Sequence, residues 1–261
     1  MFPLKDDIPT RRFPILTVAI IAACAIVYFV FEQGLWSLGD TGNERVIEYG
    51  AIPYEISHPG DECGVATTGQ IVCEGQPGVT GPAPDQAPWW VTVFSSMFMH
   101  GSLLHLGGNM LFLWIFGNNI EDSMSRWRFI AFYILGGIAA LLAQVLIDTG
   151  STVPTVGASG AIAAVLGGYA ILYPRARVIT LVFIIIIFTI IELPALVVLG
   201  LWFLLQLLLQ LLAFSQPVVE GGGGVAYFAH IGGFIFGLLV IKAFANRMHE
   251  DYDSQRRIPV Y

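Results

Sequence analysis

The sequence predicts an all-α membrane protein, a bundle of six transmembrane helices with one long extracytoplasmic loop between the first and the second. Three observations carry this. The 261 residues are 56% hydrophobic and only 12% charged, with a mean hydropathy of +0.72, whereas a soluble domain carries about twice that charged fraction. Several apolar stretches are long enough to cross roughly 30 Å of hydrocarbon at about 1.5 Å per residue. The charges are also segregated. With spans placed at 13–31, 103–120, 129–147, 158–173, 194–214 and 225–242, eleven of the twelve Lys and Arg residues fall on one side. Only Arg45 lies opposite, in the loop 33–90, which also carries most of the nine acidic residues from Glu32 to Asp85. The positive-inside bias then puts both termini in the cytoplasm and predicts a multi-pass protein of a prokaryotic plasma membrane.

The elements follow in order. Residues 1–12 form a basic tail with Lys5, Arg11 and Arg12. The first span has the flanks of a signal peptide, but no small-x-small cleavage site follows it, so a retained helix is expected. Cys24 lies within it as packing. Residues 33–90 are rich in Gly, Pro, Asp and Glu, which predicts an irregular loop with short helical pieces. Cys63 and Cys73 share that loop, where an oxidising compartment permits a disulfide. Trp89-Trp90 predicts an interfacial or re-entrant entry, since indole rings favour the headgroup level.

The run from Val178 to Leu212 is too long for one span, and two spans there would invert the charge bias downstream. Residues 178–191 are therefore read as an interfacial or partly re-entrant lead-in, with Pro194 in the first turn of the fifth span. Gly221 to Gly224 make a flexible connection to the sixth span. Residues 243–261 form a second basic-side tail, and the membrane domain covers 13–242.

Polar groups at hydrocarbon depth need a partner or a purpose. His100, His105 and Asn109 lie at the second span, Ser159 opens the fourth, and His230 lies in the sixth. Counting back from the basic-side boundary at helical rise, Asn109 is about 18 Å in, Ser159 about 21 Å and His230 about 18 Å. Three helices thus bring Asn, Ser and His to one level. The fourth span begins at the serine and is short, so residues 148–156 must dip into the membrane, buried in protein or lining a water-filled cavity.

Taken singly, each group has a simpler role. Ser159 is a helix cap, His105 and Asn109 are interhelical glue, and His230 is a proton relay or ligand site. Gln206 and Gln210 are packing or gate residues, and His58 and His249 are ordinary exposed side chains. The ridge Gly160, Ala164, Gly168 and the pair Gly233 and Gly237 predict close packing of spans four and six. That approach would let His230 take the Ser159 proton, which a serine requires before it is nucleophilic. His105, Asn109 and the Ser159 N–H could stabilise the resulting oxyanion.

Three segments together, His100-Gly-Ser-Leu-Leu-His105-Leu-Gly-Gly-Asn109, Gly157-Ala-Ser159-Gly160 and Ala229-His230-Ile-Gly-Gly233-Phe-Ile-Phe-Gly237, resemble the rhomboid intramembrane serine proteases over about 90–242. The resemblance implies Ser159 as nucleophile and His230 as general base, with His105, Asn109 and Ser159 lining an oxyanion hole. Gly157 and His100 match supporting positions, and Glu121 with Arg126-Trp127-Arg128 match a structural polar loop. The fifth span and Gly221 to Gly224 match a lateral gate and cap. Two positions depart: Ala163 stands where some members carry a tyrosine that stacks on the histidine, and Ser125 where a glycine often follows. Orientation of His230 is then expected from Tyr227, Phe228 or the second span.

The implied activity is cleavage of transmembrane protein substrates within the lipid bilayer, at helix-destabilising segments with small residues. No P-loop or zinc motif occurs, so no metal, cofactor, nucleotide or nucleic acid is expected. A catalytically inactive rhomboid-like protein that binds membrane clients is the alternative. A transporter is the third reading, without the inverted repeats it would need.

Overall fold

A computed structural model describes residues 2–33, 42–66, 70–83, 87–184, 187–215 and 226–246. Gly221 to Gly224 and His249 lie outside the described residues. The described chain is mostly helical. After strand β1 (Phe2–Asp6) come α1 (Ile15–Ile26), which continues as a π-helix over Val27–Glu32, then α2 (Gly42–Tyr49) and α3 (Pro53–Ser57). Strands β2 (Cys63–Val65) and β3 (Ile71–Cys73) precede α4 (Trp89–Ser95) and α5 (Leu103–Phe112). A π-helical stretch, Leu113–Gly117, joins α5 to α6 (Asn118–Ser123). Then follow α7 (Arg126–Ile147), α8 (Ser159–Leu172), β4 (Arg177–Ile184), β5 (Ile187–Pro194), α9 (Ala195–Ser215) and α10 (Tyr227–Phe244).

Among the described residues, four helical stretches are long and apolar enough to cross a membrane: Ile15–Glu32, Arg126–Ile147, Ala195–Leu212 and Tyr227–Phe244. Ser159–Leu172 is a shorter apolar helix.

The sheet corrects the all-α expectation. β4 and β5 form an antiparallel hairpin from Arg177↔Pro194 to Ile184↔Ile187, and β1 pairs with β4 on its other side. The lead-in expected at 178–191 is therefore extended chain. Its run of Val, Ile, Thr and Phe explains this, because β-branched and aromatic side chains suit a pleated surface. Val178 and Thr180 point inward and are fully buried, whereas Phe188 and Ile190 on β5 are exposed.

β1 also anchors the start of the chain. The buried Asp6 carboxylate accepts hydrogen bonds from Tyr169 Oη at 2.6 Å and Asn119 Nδ2 at 2.5 Å. Burial, with a lesser push from Asp7, raises its pKa from 3.8 to about 7. A folded-state pKa above the unfolded one gives stability that is full below about pH 4 and lost as pH rises through about 7. Between pH 5 and 8 the wild-type melting temperature should therefore fall further than that of Asp6→Asn, by on the order of a few degrees. Parallel thermal-unfolding curves for the two proteins would remove Asp6 as the titrating anchor.

Two acidic residues tie α1 to α6. Glu121 accepts from the backbone N–H of Leu16 and Thr17 and from the Thr17 hydroxyl, at 2.8–3.0 Å. These N–H groups belong to the first turn of α1 and have no helical acceptor, so the carboxylate caps that helix end. Asp122 receives the Arg11 N–H and the Arg12 guanidinium.

On the acidic-loop side, Cys63 and Cys73 face each other across β2 and β3 and form a disulfide. Glu55 is buried beside it and accepts the Cys63 N–H at 2.9 Å; burial raises its pKa to about 7. Cys63→Ser should change mobility on a non-reducing gel and leave mobility on a reducing gel unchanged. Trp89 and Trp90 stay exposed at the start of α4.

Candidate active site

α7, α8 and α10 pack against one another through small residues. A methyl group added at Gly233 would lie 2.2 Å from the Gly160 carbonyl oxygen, and one at Gly237 2.0 Å from that of Ala164. Backbone meets backbone here, so α10 lies directly on α8. The Gly160–Ala164 ridge packs on α10 as its spacing suggested, and it serves α7 as well. A Cβ at Gly160 would press on Ala140 of α7, and one at Gly136 of α7 would press on Ala164. Gly160 and Ala164 meet α10 through their carbonyls, and the Cβ position of the ridge's third member, Gly168, faces Ile241 of α10 as well as Phe132 of α7. α8 thus lies backbone to backbone on α10, while Gly160 and Ala164 also turn their Cβ positions to α7.

This packing brings Ser159 and His230 together: Ser159 Oγ and His230 Nε2 are 2.7 Å apart. The residue capping α8 is Ala158, without a side-chain cap bond, so the serine hydroxyl engages the histidine rather than ending its helix. Ala163, one turn beyond the serine, lies 3.2 Å from a Cβ built at Gly233. A larger side chain at 163 would drive α10 away, which gives a packing reason for alanine there.

The other nitrogen of His230, Nδ1, lies 2.8 Å from Oε1 of Gln206 on α9. This corrects the expectation that Tyr227, Phe228 or the second span would orient the ring. Trp202, one turn before Gln206 on α9, stands beside the same ring with centroids 5.8 Å apart. The sequence carried one signal for this, a Trp and a Gln at i, i+4 in an otherwise apolar helix, so that they share a face.

Gly157 precedes the serine with φ +128° and donates its N–H to the Ser96 carbonyl at 2.8 Å. Side chains rarely adopt that φ. A Cβ there would also lie 2.8 Å from His105 Cε1 and Nε2, so the position is closed to other residues twice over. The irregular segment before it is held by mutual Ala51 and Thr155 backbone bonds and by the Tyr54 N–H on the Ser151 carbonyl. Its polar groups are thereby partnered within protein.

His105 stands on α5, whose first turn is capped by Ser102 Oγ accepting the His105 N–H at 3.1 Å. His100 is fully buried, donates its N–H to the buried Glu32 carboxylate and packs edge-on against the His105 ring at 5.2 Å. Asn109 is buried, and among the described residues its Nδ2 has no hydrogen-bond partner. Buried donors without acceptors are costly, so this one has a reason to be sought.

His105, Asn109, Gly157, Ser159, Gly160 and His230 all line one cavity of about 720 Å³, with Trp202 on its wall. Glu121 and Arg128 lie elsewhere, in the basic-side framework, where Arg128 bonds Phe244 and Asn246. No cluster of His, Cys, Asp or Glu able to hold a metal ion occurs among the described residues.

Fold and cavity define a polytopic helical membrane protein with a paired serine and histidine inside it. The family model of the Rhomboid domain matches residues 87–247, and the chain belongs to the rhomboid family, whose members are generally intramembrane serine proteases. Rhomboid protein 1, mitochondrial, of Saccharomyces cerevisiae is 30% identical over 160 residues, 57% of this chain and 40% of that protein. The human presenilin-associated rhomboid-like protein, mitochondrial, is 34% identical over 84 residues, 31% of this chain and 22% of that one. RHOMBOID-like protein 5 of Arabidopsis thaliana is 35% identical over 75 residues, 29% of this chain and 24% of the relative. The chain thus spans two fifths or less of these relatives.

The mitochondrial relatives correct the location expected from charge. They point to a mitochondrial membrane, in place of a prokaryotic plasma membrane with cytoplasmic termini. Charge bias distinguishes the two faces of a bilayer but does not say which bilayer it is.

Proposed function

We propose that this protein is a serine endopeptidase that cleaves transmembrane segments of other membrane proteins inside the bilayer. The observation that carries this reading is the 2.7 Å Ser159–His230 pair on the wall of a 720 Å³ cavity. The six-helix reading adds two further crossings, the continuous helical run α5–α6 and the short α8, to the four long spans. Residues 13–242 are then one membrane domain with the loop 33–90 on the acidic side.

In this reading Ser159 Oγ attacks the scissile carbonyl carbon while its proton passes to His230 Nε2. The carbonyl oxygen becomes an oxyanion. Asn109 Nδ2, the His105 ring and the Ser159 N–H, at the unsatisfied end of α8, are placed to receive it. His230 then gives the proton to the leaving amine, and water entering the cavity hydrolyses the acyl-enzyme by the same steps. Glu32 and His100 hold the segment that leads into α5, on which His105 stands. Retention of both serine and histidine disfavours the inactive client-binding alternative.

The test is covalent mapping. Purified protein treated with a fluorophosphonate should carry one label, and peptide mass spectrometry should place it on Ser159. Unlabelled protein that binds a labelled transmembrane peptide without cutting it would favour the client-binding reading instead.

A further inference from the structure

We propose that Gln206 of α9 is a positioning residue that holds His230 in the one tautomer able to act as base; this rests on the Ser159–His230 reading above. For Nε2 to take the serine proton it must carry a lone pair, so the neutral ring must carry its hydrogen on Nδ1. That N–H then needs an acceptor, because a buried donor left unpaired is costly. Gln206 Oε1, 2.8 Å from Nδ1, is that acceptor. Among the described residues lining the cavity there is no carboxylate, and His105 is the only other titratable side chain. The amide oxygen therefore does by hydrogen bonding what a third, charged group would do elsewhere. Gln206 is itself buried, and its Oε1 is spent on the ring. Because Gln206 belongs to α9, the seat of that helix becomes a condition for a competent base.

The experiment compares wild type, Gln206→Met and Gln206→Glu by fluorophosphonate labelling rate and by kcat and KM on a transmembrane substrate. Met keeps the volume and removes the acceptor; Glu keeps an acceptor oxygen. Loss of the tautomer should slow labelling and kcat of Gln206→Met by about 10²–10⁴-fold with KM little changed. Gln206→Glu should restore most of both. A packing role reverses the order, with Met tolerated and Glu damaging. A gate role changes substrate KM and leaves labelling at the wild-type rate. Either result would overturn the inference while Ser159 still labels in wild type. Wild type and Ser159→Ala labelling alike would instead remove the underlying reading.

Discussion

Ser159→Ala is expected to give a folded protein that cleaves a transmembrane substrate about 10⁴-fold more slowly than wild type, or less. The loss is large because no step of acyl transfer survives it. His230 would still be paired with Gln206, but its proton acceptor would face a methyl group. Folding should be nearly unaffected. The residue opens α8 without capping it, and its hydroxyl contributes one hydrogen bond, about 1 kcal/mol net. The measurement is the initial rate on a labelled substrate in detergent, beside thermal unfolding of both proteins. Equal rates for the two folded proteins would remove Ser159 from the chemistry.

Gly237→Val should unfold or loosen the bundle, and Gly233→Ala should damage the site more than the fold. At Gly237 the first added carbon already meets backbone at 2.0 Å, the Ala164 carbonyl, which cannot rotate away. The helices must separate, and overpacking of this kind costs typically about 1–3 kcal/mol, with more for a branched side chain. Gly233 lies three residues after His230, and its added carbon would press on the Gly160 carbonyl, next to the serine. A shift of α10 by about 1 Å there can lower turnover by about 10²-fold. Gly200→Ala is the control. Nothing lies within 4 Å of a Cβ at Gly200 on α9, and alanine favours a helix over glycine by about 1 kcal/mol. Its stability should match or exceed wild type. A melting temperature for Gly237→Val equal to that of Gly200→Ala would show that α8 and α10 are not packed as described.

How much of this could be read from the residues depends on the range of the forces involved. Apolar length and charge segregation are local and additive, so the four long apolar helices were legible, as was the shared level of Ser159 and His230 once depth was counted along each helix. The hairpin 177–194 was not. A continuous apolar run has no alternation to separate strand from helix, and the deciding partner was β1, about 175 residues away in the chain. Enrichment in β-branched residues was the available signal.

Site support divided in the same way. Coincident depth ranked Asn109, Ser159 and His230 together, but depth carries no azimuth. It could not say that the Gly160 and Ala164 carbonyls lie on Gly233 and Gly237 while their Cβ positions face α7. Nor could it say which of several nearby side chains would reach His230 Nδ1. The membrane itself lay beyond any reading of charge, since positive-inside bias is a property of two faces and not of a compartment.

By itself, then, the sequence determined a polytopic helical protein with a serine, a histidine and an asparagine at one level. Periodicity and composition act over a single helix and need no neighbour. Only the tertiary structure decided that β1 completes a sheet at the basic face, that Gln206 Oε1 lies 2.8 Å from His230 Nδ1, and that Gly233 and Gly237 lie on carbonyls. Those are contacts between segments far apart in the chain, selected by shape and by the need to partner every buried polar group, and no local pattern records them.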